Sequence, residues 1–332
     1  MSALLEVSGL GVQLQTHRGW APAVRDVSFT LERGQTLGLV GESGCGKSIT
    51  AMSLMGLLPD NARVSGSIRF DGDELTGLSD SALCRIRGNQ IGMIFQEPMT
   101  ALNPVHSVGR QVAEPLRLHR GLDAAAARKH AVALLDRVGI PDAQRRADAY
   151  PHQFSGGQRQ RVTIAMALAC SPQLLIADEP TTALDVTVQQ QILDLIRELV
   201  AERDMAMILI SHDLGVIAQN VDHMLVMYGG SVVESGPTAA VFANRMHPYT
   251  LGLFGARPAL GARKGQRLTT IPGTVPDLVD LPAGCPFAGR CAFTIDACHV
   301  TAPPPVPVGP DQFARCIRLD AVAAAKAAGE VA

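Results

Sequence analysis

From residue 1 to about residue 235, short apolar runs alternate with segments whose apolar residues recur at helical spacing. Leu4–Val12, Val24–Leu31 and Thr36–Val40 read as strands. Ser67–Phe70 and Ile91–Phe95 are further candidates, with Asp71-Gly72 supplying a turn between them. Leu174–Ala177 and Ala206–Ile210 are apolar, too short for helices, and fit the buried central strands of a parallel sheet. Helical spacing marks Ser48–Leu58, halted by Pro59, and Ala124–Val138, with Asp123 as N-cap and Gly139 and Pro141 past its end. Gln158–Ala169 and Val188–Ala201 add two more helices. The alternation predicts an α/β core. The mainly helical stretch from Arg110 to Ala169 predicts a helical insertion. After His247 the periodicity is lost, prolines and glycines recur, and Pro303-Pro304-Pro305 reads as stiff and extended, so a boundary is expected near residue 250.

Composition narrows the classes. At 332 residues and 47% apolar, the chain can bury a sizeable core and is long enough for two compact units. Its 29 basic and 31 acidic residues nearly cancel, which argues against a protein that grips nucleic acid through phosphates. The longest uncharged stretch, Val162–Ala177, is interrupted by Thr163, Ser171, Pro172 and Gln173, so no bilayer span is expected. The opening MSALLEVSGLGVQL lacks the basic and apolar regions of a signal peptide. A cytosolic chain follows, in which structural disulfides are not expected. Only four of the basic residues are lysines: Lys47, Lys129, Lys264 and Lys326.

One of those lysines lies where chemistry needs it. Gly41-Glu42-Ser43-Gly44-Cys45-Gly46-Lys47-Ser48 matches G-x-x-x-x-G-K-[ST], after a buried strand and at the start of a helix. The glycines let the backbone wrap phosphate oxygens and present N–H groups at a positive helix N-terminus. Lys47 would reach the β- and γ-phosphates, the Ser48 hydroxyl would sit on Mg²⁺, and Ile49 follows in the first turn. Downstream, Leu174-Leu175-Ile176-Ala177 runs into Asp178 and Glu179. Asp178 would bind the shell of the Mg²⁺ and Glu179 would polarise an attacking water.

Between the two lies Phe154-Ser155-Gly156-Gly157-Gln158, followed by Arg159-Gln160-Arg161. It resembles the LSGGQ signature loop of ATP-binding cassette (ABC) proteins, with Phe154 in place of leucine. Gln96 in MIFQEP is similar to the Q-loop glutamine of that family, Asp185 in TTALD to its D-loop, and His212 in ILISHD to its switch histidine. Trp20 or His17 would be the aromatic that stacks on adenine. The phrases around Tyr150–Gln158 and Ile176–Thr187, together with His247-Pro248-Tyr249-Thr250, resemble the dipeptide/oligopeptide importer ATPases along essentially the whole chain.

The resemblance implies a P-loop NTPase fold: a RecA-like core with an antiparallel β subdomain and a helical subdomain at roughly 97–169. Residues 1–250 would form the nucleotide-binding domain and residues 251–332 a small irregular cysteine-rich extension. It implies ATP hydrolysis with Mg²⁺ held through Ser48, Gln96 and Asp178. Glu179 would be the general base, and His212, Gln96 and Lys47 would serve the γ-phosphate. The segment from Gly41 to Ile49 would bind ATP in cis, and Ser155, Gly156, Gly157, Gln158 and Asp185 would act on the ATP of a facing cassette. The partners implied are a second, homologous cassette, two membrane permease subunits and, indirectly, an extracytoplasmic solute-binding protein, with no nucleic acid. The chain would sit peripherally on the cytoplasmic face of the membrane and drive uptake of di- or oligopeptides. Glutathione or a nickel chelate as cargo, or a non-transport ABC ATPase of DNA repair or translation, are the alternatives.

The tail carries Cys285, Cys291, Cys298 and Cys316, spaced C-x5-C-x6-C-x17-C. Disulfides, structural zinc, an iron–sulfur cluster and four unligated thiols all compete here. The resemblance favours a 4Fe–4S cluster of structural role, with zinc as the alternative. A proline-rich tail with few large apolar residues fits some cross-link. Of the other cysteines, Cys84 and Cys170 read as helix residues. Cys45 lies in the phosphate loop, where alkylation would disturb nucleotide binding.

Overall fold

The computed structural model describes residues 3–182, 184–256 and 270–328; Ala183, quoted above, falls outside them. These residues form two compact units, one made of residues up to 5, 31–36 and 70–210, the other of 6–30, 37–69 and 211 onwards.

In the first unit the parallel strands Ile91–Ile94, Leu174–Asp178 and Ala206–Ser211 lie side by side. Ile91 pairs with Leu174 and Ile94 with Ala177, then Leu174 with Ala206 and Asp178 with Ile210. All three strands are buried throughout, as expected of central strands covered on both faces. Gly92 permits close cover, because a Cβ there would stand 2.5 Å from the Ala167 carbonyl of the Gly156–Leu168 helix. The insertion is helical as expected, with its main helices at Val108–Arg120, Ala124–Arg137 and Gly156–Leu168. The Asp123 carboxylate accepts the Ala126 N–H at 2.8 Å and starts the second of these. Ala127, Ala131 and Leu135 form that helix's buried stripe.

The second unit holds two groups of strands. Leu5–Thr16, Gly19–Leu31 and Ala62–Phe70 are neighbours, with Leu5–Thr16 in the middle. Both of the first two run longer than the apolar pattern indicates, because a hairpin at His17-Arg18 carries them past their buried halves into solvent. The second group begins with Thr36–Val40, paired in parallel with His223–Tyr228, which turns back at Gly229-Gly230 into Ser231–Pro237. Gln312–Ala314 then pairs with Ser231–Pro237, and Val306–Gly309 with Gln312–Ala314. The tail therefore adds strands to the sheet that carries the phosphate loop, and the expected boundary near 250 falls inside the helix Pro248–Gly255.

A buried carboxylate ties this arrangement together. Glu234, fully buried, accepts the N–H groups of Met246 and His247 at 2.8 and 2.9 Å and the Gln312 side-chain amide at 3.0 Å. Burial raises its pKa, and these donors oppose the shift. One correction concerns the helix after the phosphate loop. It spans Lys47–Met55 and ends at Gly56, whose left-handed φ of 59° returns its N–H to Met52 and Ser53, so Gly56 stops it before Pro59 can.

Candidate functional site: the phosphate loop, the carboxylate pair and the cysteine tail

The phosphate loop follows a strand whose last four residues are buried. Gly46 adopts φ 102°, and a Cβ there would lie 2.7 Å from the Ala23 carbonyl; at Gly41 a Cβ would lie 2.3 Å from the Met227 carbonyl. Glycine is therefore required by both conformation and space. Lys47 is almost wholly buried and donates from Nζ to the carbonyls of Gly41 at 2.8 Å and Glu42 at 3.1 Å. The loop thus holds its own lysine above the N-terminus of the Lys47–Met55 helix, where Ser48 and Ile49 stand half-buried. Cys45 lies 1% exposed, and burial raises its thiol pKa, partly offset by Lys47. A shielded, protonated thiol is a poor target, so the expected sensitivity of Cys45 to alkylation is not what this geometry gives. In the same unit Trp20 is exposed with the Arg63 guanidinium 3.9 Å from its ring centroid. His17 and His212 are also exposed, and His212 directly follows the strand Ala206–Ser211.

The first unit brings together a second set. Asp178 ends its strand and is buried. Glu179 follows in the left-handed region at φ 45°, unusual for a residue with a Cβ, and its N–H donates to the Ile210 carbonyl at 3.0 Å. Its carboxylate accepts from the Gln96 amide at 3.3 Å and the Thr182 hydroxyl at 3.0 Å. The expected base and the expected glutamine are therefore in contact. Thr182 is an addition: it stands in the phrase already singled out, three residues past the carboxylate.

Ser155 caps the Gly156–Leu168 helix reciprocally. Its hydroxyl accepts the Gln158 N–H at 3.3 Å, and the Gln158 side chain accepts the Ser155 N–H at 3.2 Å. Ser155 and Gly156 remain exposed. Phe154, the departure from leucine, is buried with the Arg146 guanidinium 4.1 Å from its ring centroid, so an apolar residue is retained where one is needed. Asp185 is exposed and caps the Val186–Glu202 helix through the Val188 N–H at 3.1 Å.

All four tail cysteines are unbonded. Cys285 donates its N–H to the Cys298 carbonyl at 2.8 Å, and Cys291 and Cys316 sulfurs accept N–H groups from Phe293 and Arg318 at 3.4 and 3.3 Å. Burial, then the neighbouring thiols, pushes Cys285 and Cys316 up to about 11. Each of the other three thiols acts on Cys285, so the four share one neighbourhood. Among the described residues, however, no three His, Cys, Asp or Glu side chains converge closely enough to hold one metal ion.

The chain is 51% identical over 333 residues to a peptide import ATP-binding protein of Brucella melitensis, covering 97% of this chain and 98% of that one. The chain belongs to the ATP-binding subunits of ABC transporters. The family model for ABC transporters matches residues 24–182 of the ATPase, and that for the oligopeptide/dipeptide transporter C-terminal region matches 233–298. A peptide import ATP-binding protein of Brucella abortus is 55% identical over 296 residues, covering 89% of each chain. Among solved structures, a dimeric ATP-binding cassette in a post-hydrolysis state with ADP and phosphate is 27% identical with a TM-score of 0.63, over 70% of the ATPase and 98% of that chain. The cbiO1 subunit of a Clostridium perfringens ABC transporter is 29% identical with a TM-score of 0.62, over 74% and 92%. The ATPase thus has the ABC form of the P-loop NTPase fold, and it hydrolyses ATP. No helix among its described residues is long and apolar enough to cross a membrane.

Proposed function

We propose that this ATPase powers an importer of di- or oligopeptides. What carries the reading is relatedness over the full length, tail included, to proteins named for peptide import, since the phosphate loop alone is indifferent to cargo. The tail match also removes the reason to prefer a DNA-repair or translation ATPase. Two permease subunits in the membrane and a second cassette complete the machine, because the chain carries one copy of each motif.

The residues divide the work. The segment Gly41–Ile49, with Lys47, binds the phosphates, and Trp20 packs on the base. Ser48, Gln96 and Asp178 would hold Mg²⁺, which would supply positive charge to the phosphates. Glu179 takes a proton from the attacking water. Gln96 and Thr182 orient its carboxylate through the hydrogen bonds described, and His212 steadies the γ-phosphate. Ser155, Gly156, Gly157, Gln158 and Asp185 serve the ATP of the facing cassette; the exposure of Ser155 and Asp185 supports that role. Reconstituted with its permeases, the ATPase should drive ATP-dependent uptake of labelled oligopeptides. Equal uptake of unrelated solutes, with none of peptides, would refute the cargo.

For the tail we favour a 4Fe–4S cluster on Cys285, Cys291, Cys298 and Cys316. The donor set is the right one, and N–H donors on two of the sulfurs would stabilise thiolates. A cluster also places several atoms between its ligands, so it does not require the single-ion convergence that is missing. Its chemistry here is a cross-link between four points of an irregular segment. Iron and acid-labile sulfide near four each per chain, in protein purified without oxygen, is the expected result. Protein containing neither iron nor sulfide would end this reading.

A further inference from the structure

The tail reaches back to the phosphate loop. Arg290, one residue before Cys291, forms a two-pronged ion pair with Glu42, 248 residues away. Its Nη1 donates to Oε2 at 2.6 Å and its Nη2 to Oε1 at 3.1 Å. The arginine side chain is only 7% exposed, and its fork is fixed from behind by Nε donating to the Pro272 carbonyl at 2.8 Å. The pair raises the Arg290 pKa, so its charge is permanent. From a different direction, the Tyr249 hydroxyl accepts the Glu42 backbone N–H at 2.8 Å. Tyr249 is itself immobile: fully buried, its ring centroid lies 4.7 Å from that of Tyr228 and 5.3 Å from that of Phe287.

Glu42 is therefore held at three points. Arg290 takes its carboxylate, Tyr249 its N–H, and Lys47 its carbonyl. The third contact belongs to the lysine that serves the phosphates, so whatever fixes Glu42 also fixes where Lys47 is anchored. Charge points the same way. A carboxylate in a loop built for polyphosphate repels its ligand, and a bidentate guanidinium cancels that repulsion.

We propose that Arg290 and Tyr249 are positioning residues for ATP, and that through Arg290 the cysteine-rich tail sets the affinity of the phosphate loop. The proposal rests on the assignment of that loop as the ATP site. Two consequences separate it from a purely structural role of the tail. Arg290→Ala should weaken ATP binding more than Glu42→Gln does, because only the former leaves an uncompensated carboxylate beside the loop. Adding Glu42→Gln to Arg290→Ala should then recover part of the loss.

The test is equilibrium binding of MgATP to the full-length chain, read by displacement of a fluorescent ATP analogue, with melting temperatures alongside. Arg290→Ala should weaken binding about tenfold, the scale of one buried charged hydrogen-bond pair. Arg290→Lys should lie between it and the parent, and Tyr249→Phe should lose about three- to fivefold. Turnover at saturating ATP in the assembled transporter should stay within about twofold, because the defect is in binding. The proposal is overturned if Arg290→Ala and Tyr249→Phe bind like the parent, or if affinity falls only in step with melting temperature and Glu42→Gln recovers nothing. Lys47→Ala separates the two failures: parent-like binding by that variant would overturn the ATP-site assignment itself.

Discussion

The two halves of the chemistry are built on different principles. The phosphate loop is made of backbone. Glycines that tolerate no Cβ set its shape, and its lysine is buried against its own carbonyls. The carboxylate set of the first unit is made of side chains. Glu179 accepts ordinary hydrogen bonds from side chains, Gln96 and Thr182 among them, and Gln96 is exposed. A backbone cradle has its shape set in advance, whereas a side-chain cluster at a surface can be rearranged by whatever docks there. On the proposed assignment of these residues, binding is preorganised and the hydrolytic step is left adjustable.

The largest expected effect separates the halves outright. Glu179→Gln should lower ATP turnover by about 10²- to 10⁴-fold, the worth of a general base, while leaving equilibrium ATP binding near the parent value. Lys47→Ala should show the converse, with binding lost first. If both variants lose binding alike, the division fails.

Next comes the rigidity of the cradle. Gly46→Ala must place a Cβ 2.7 Å from the Ala23 carbonyl at φ 102°, and strain of about 1–3 kcal/mol is expected. ATP affinity should collapse. A crystal structure of that variant with an undisturbed loop would show that the glycine is not needed for shape.

The acid side of the stability curve tests the interior of the second unit. Burial lowers His247 to about 3, against 6.5 in an unfolded chain, so the unfolded state binds the extra proton between those values. Stability from this group is complete above pH 6.5 and drains away as pH falls towards 3, by up to about 1.4 kcal/mol per pH unit. Glu234, whose pKa is raised, opposes the trend by favouring the folded state when protonated. Denaturant melts of the parent and of His247→Asn across that window should diverge progressively. Parallel curves would refute the assignment.

Thr182→Val removes one hydrogen bond from Glu179, about 1 kcal/mol, so turnover should drop about fivefold with ATP affinity unchanged. An unaltered rate would mean that the Thr182 hydroxyl does not orient the base.

Legibility followed locality. The glycine-rich loop and the Asp123 cap were readable because each closes within a few residues and needs a particular residue type. Phe154 could be read as a tolerable replacement because burial asks only for an apolar side chain. Gly56 was missed as a helix stop because Pro59 is the louder signal, although the αL position comes first along the chain. Arg290 with Glu42, and Gln312 with Glu234, had no signal at all. Pairs 248 and 78 residues apart leave no period in the sequence, and either partner alone looks like any charged or polar residue. The neighbourhood of the four thiols likewise depends on Gln312–Ala314 joining a strand formed some eighty residues earlier.

The Glu234–Gln312 contact also has a consequence for how the protein is born. A carboxylate at the centre of this unit waits for an amide that the ribosome adds 78 residues later. Until then the strand Ser231–Pro237 has one edge unpaired. The order of synthesis thereby leaves two carboxylates waiting, Glu42 until residue 290 is added and Glu234 until residue 312.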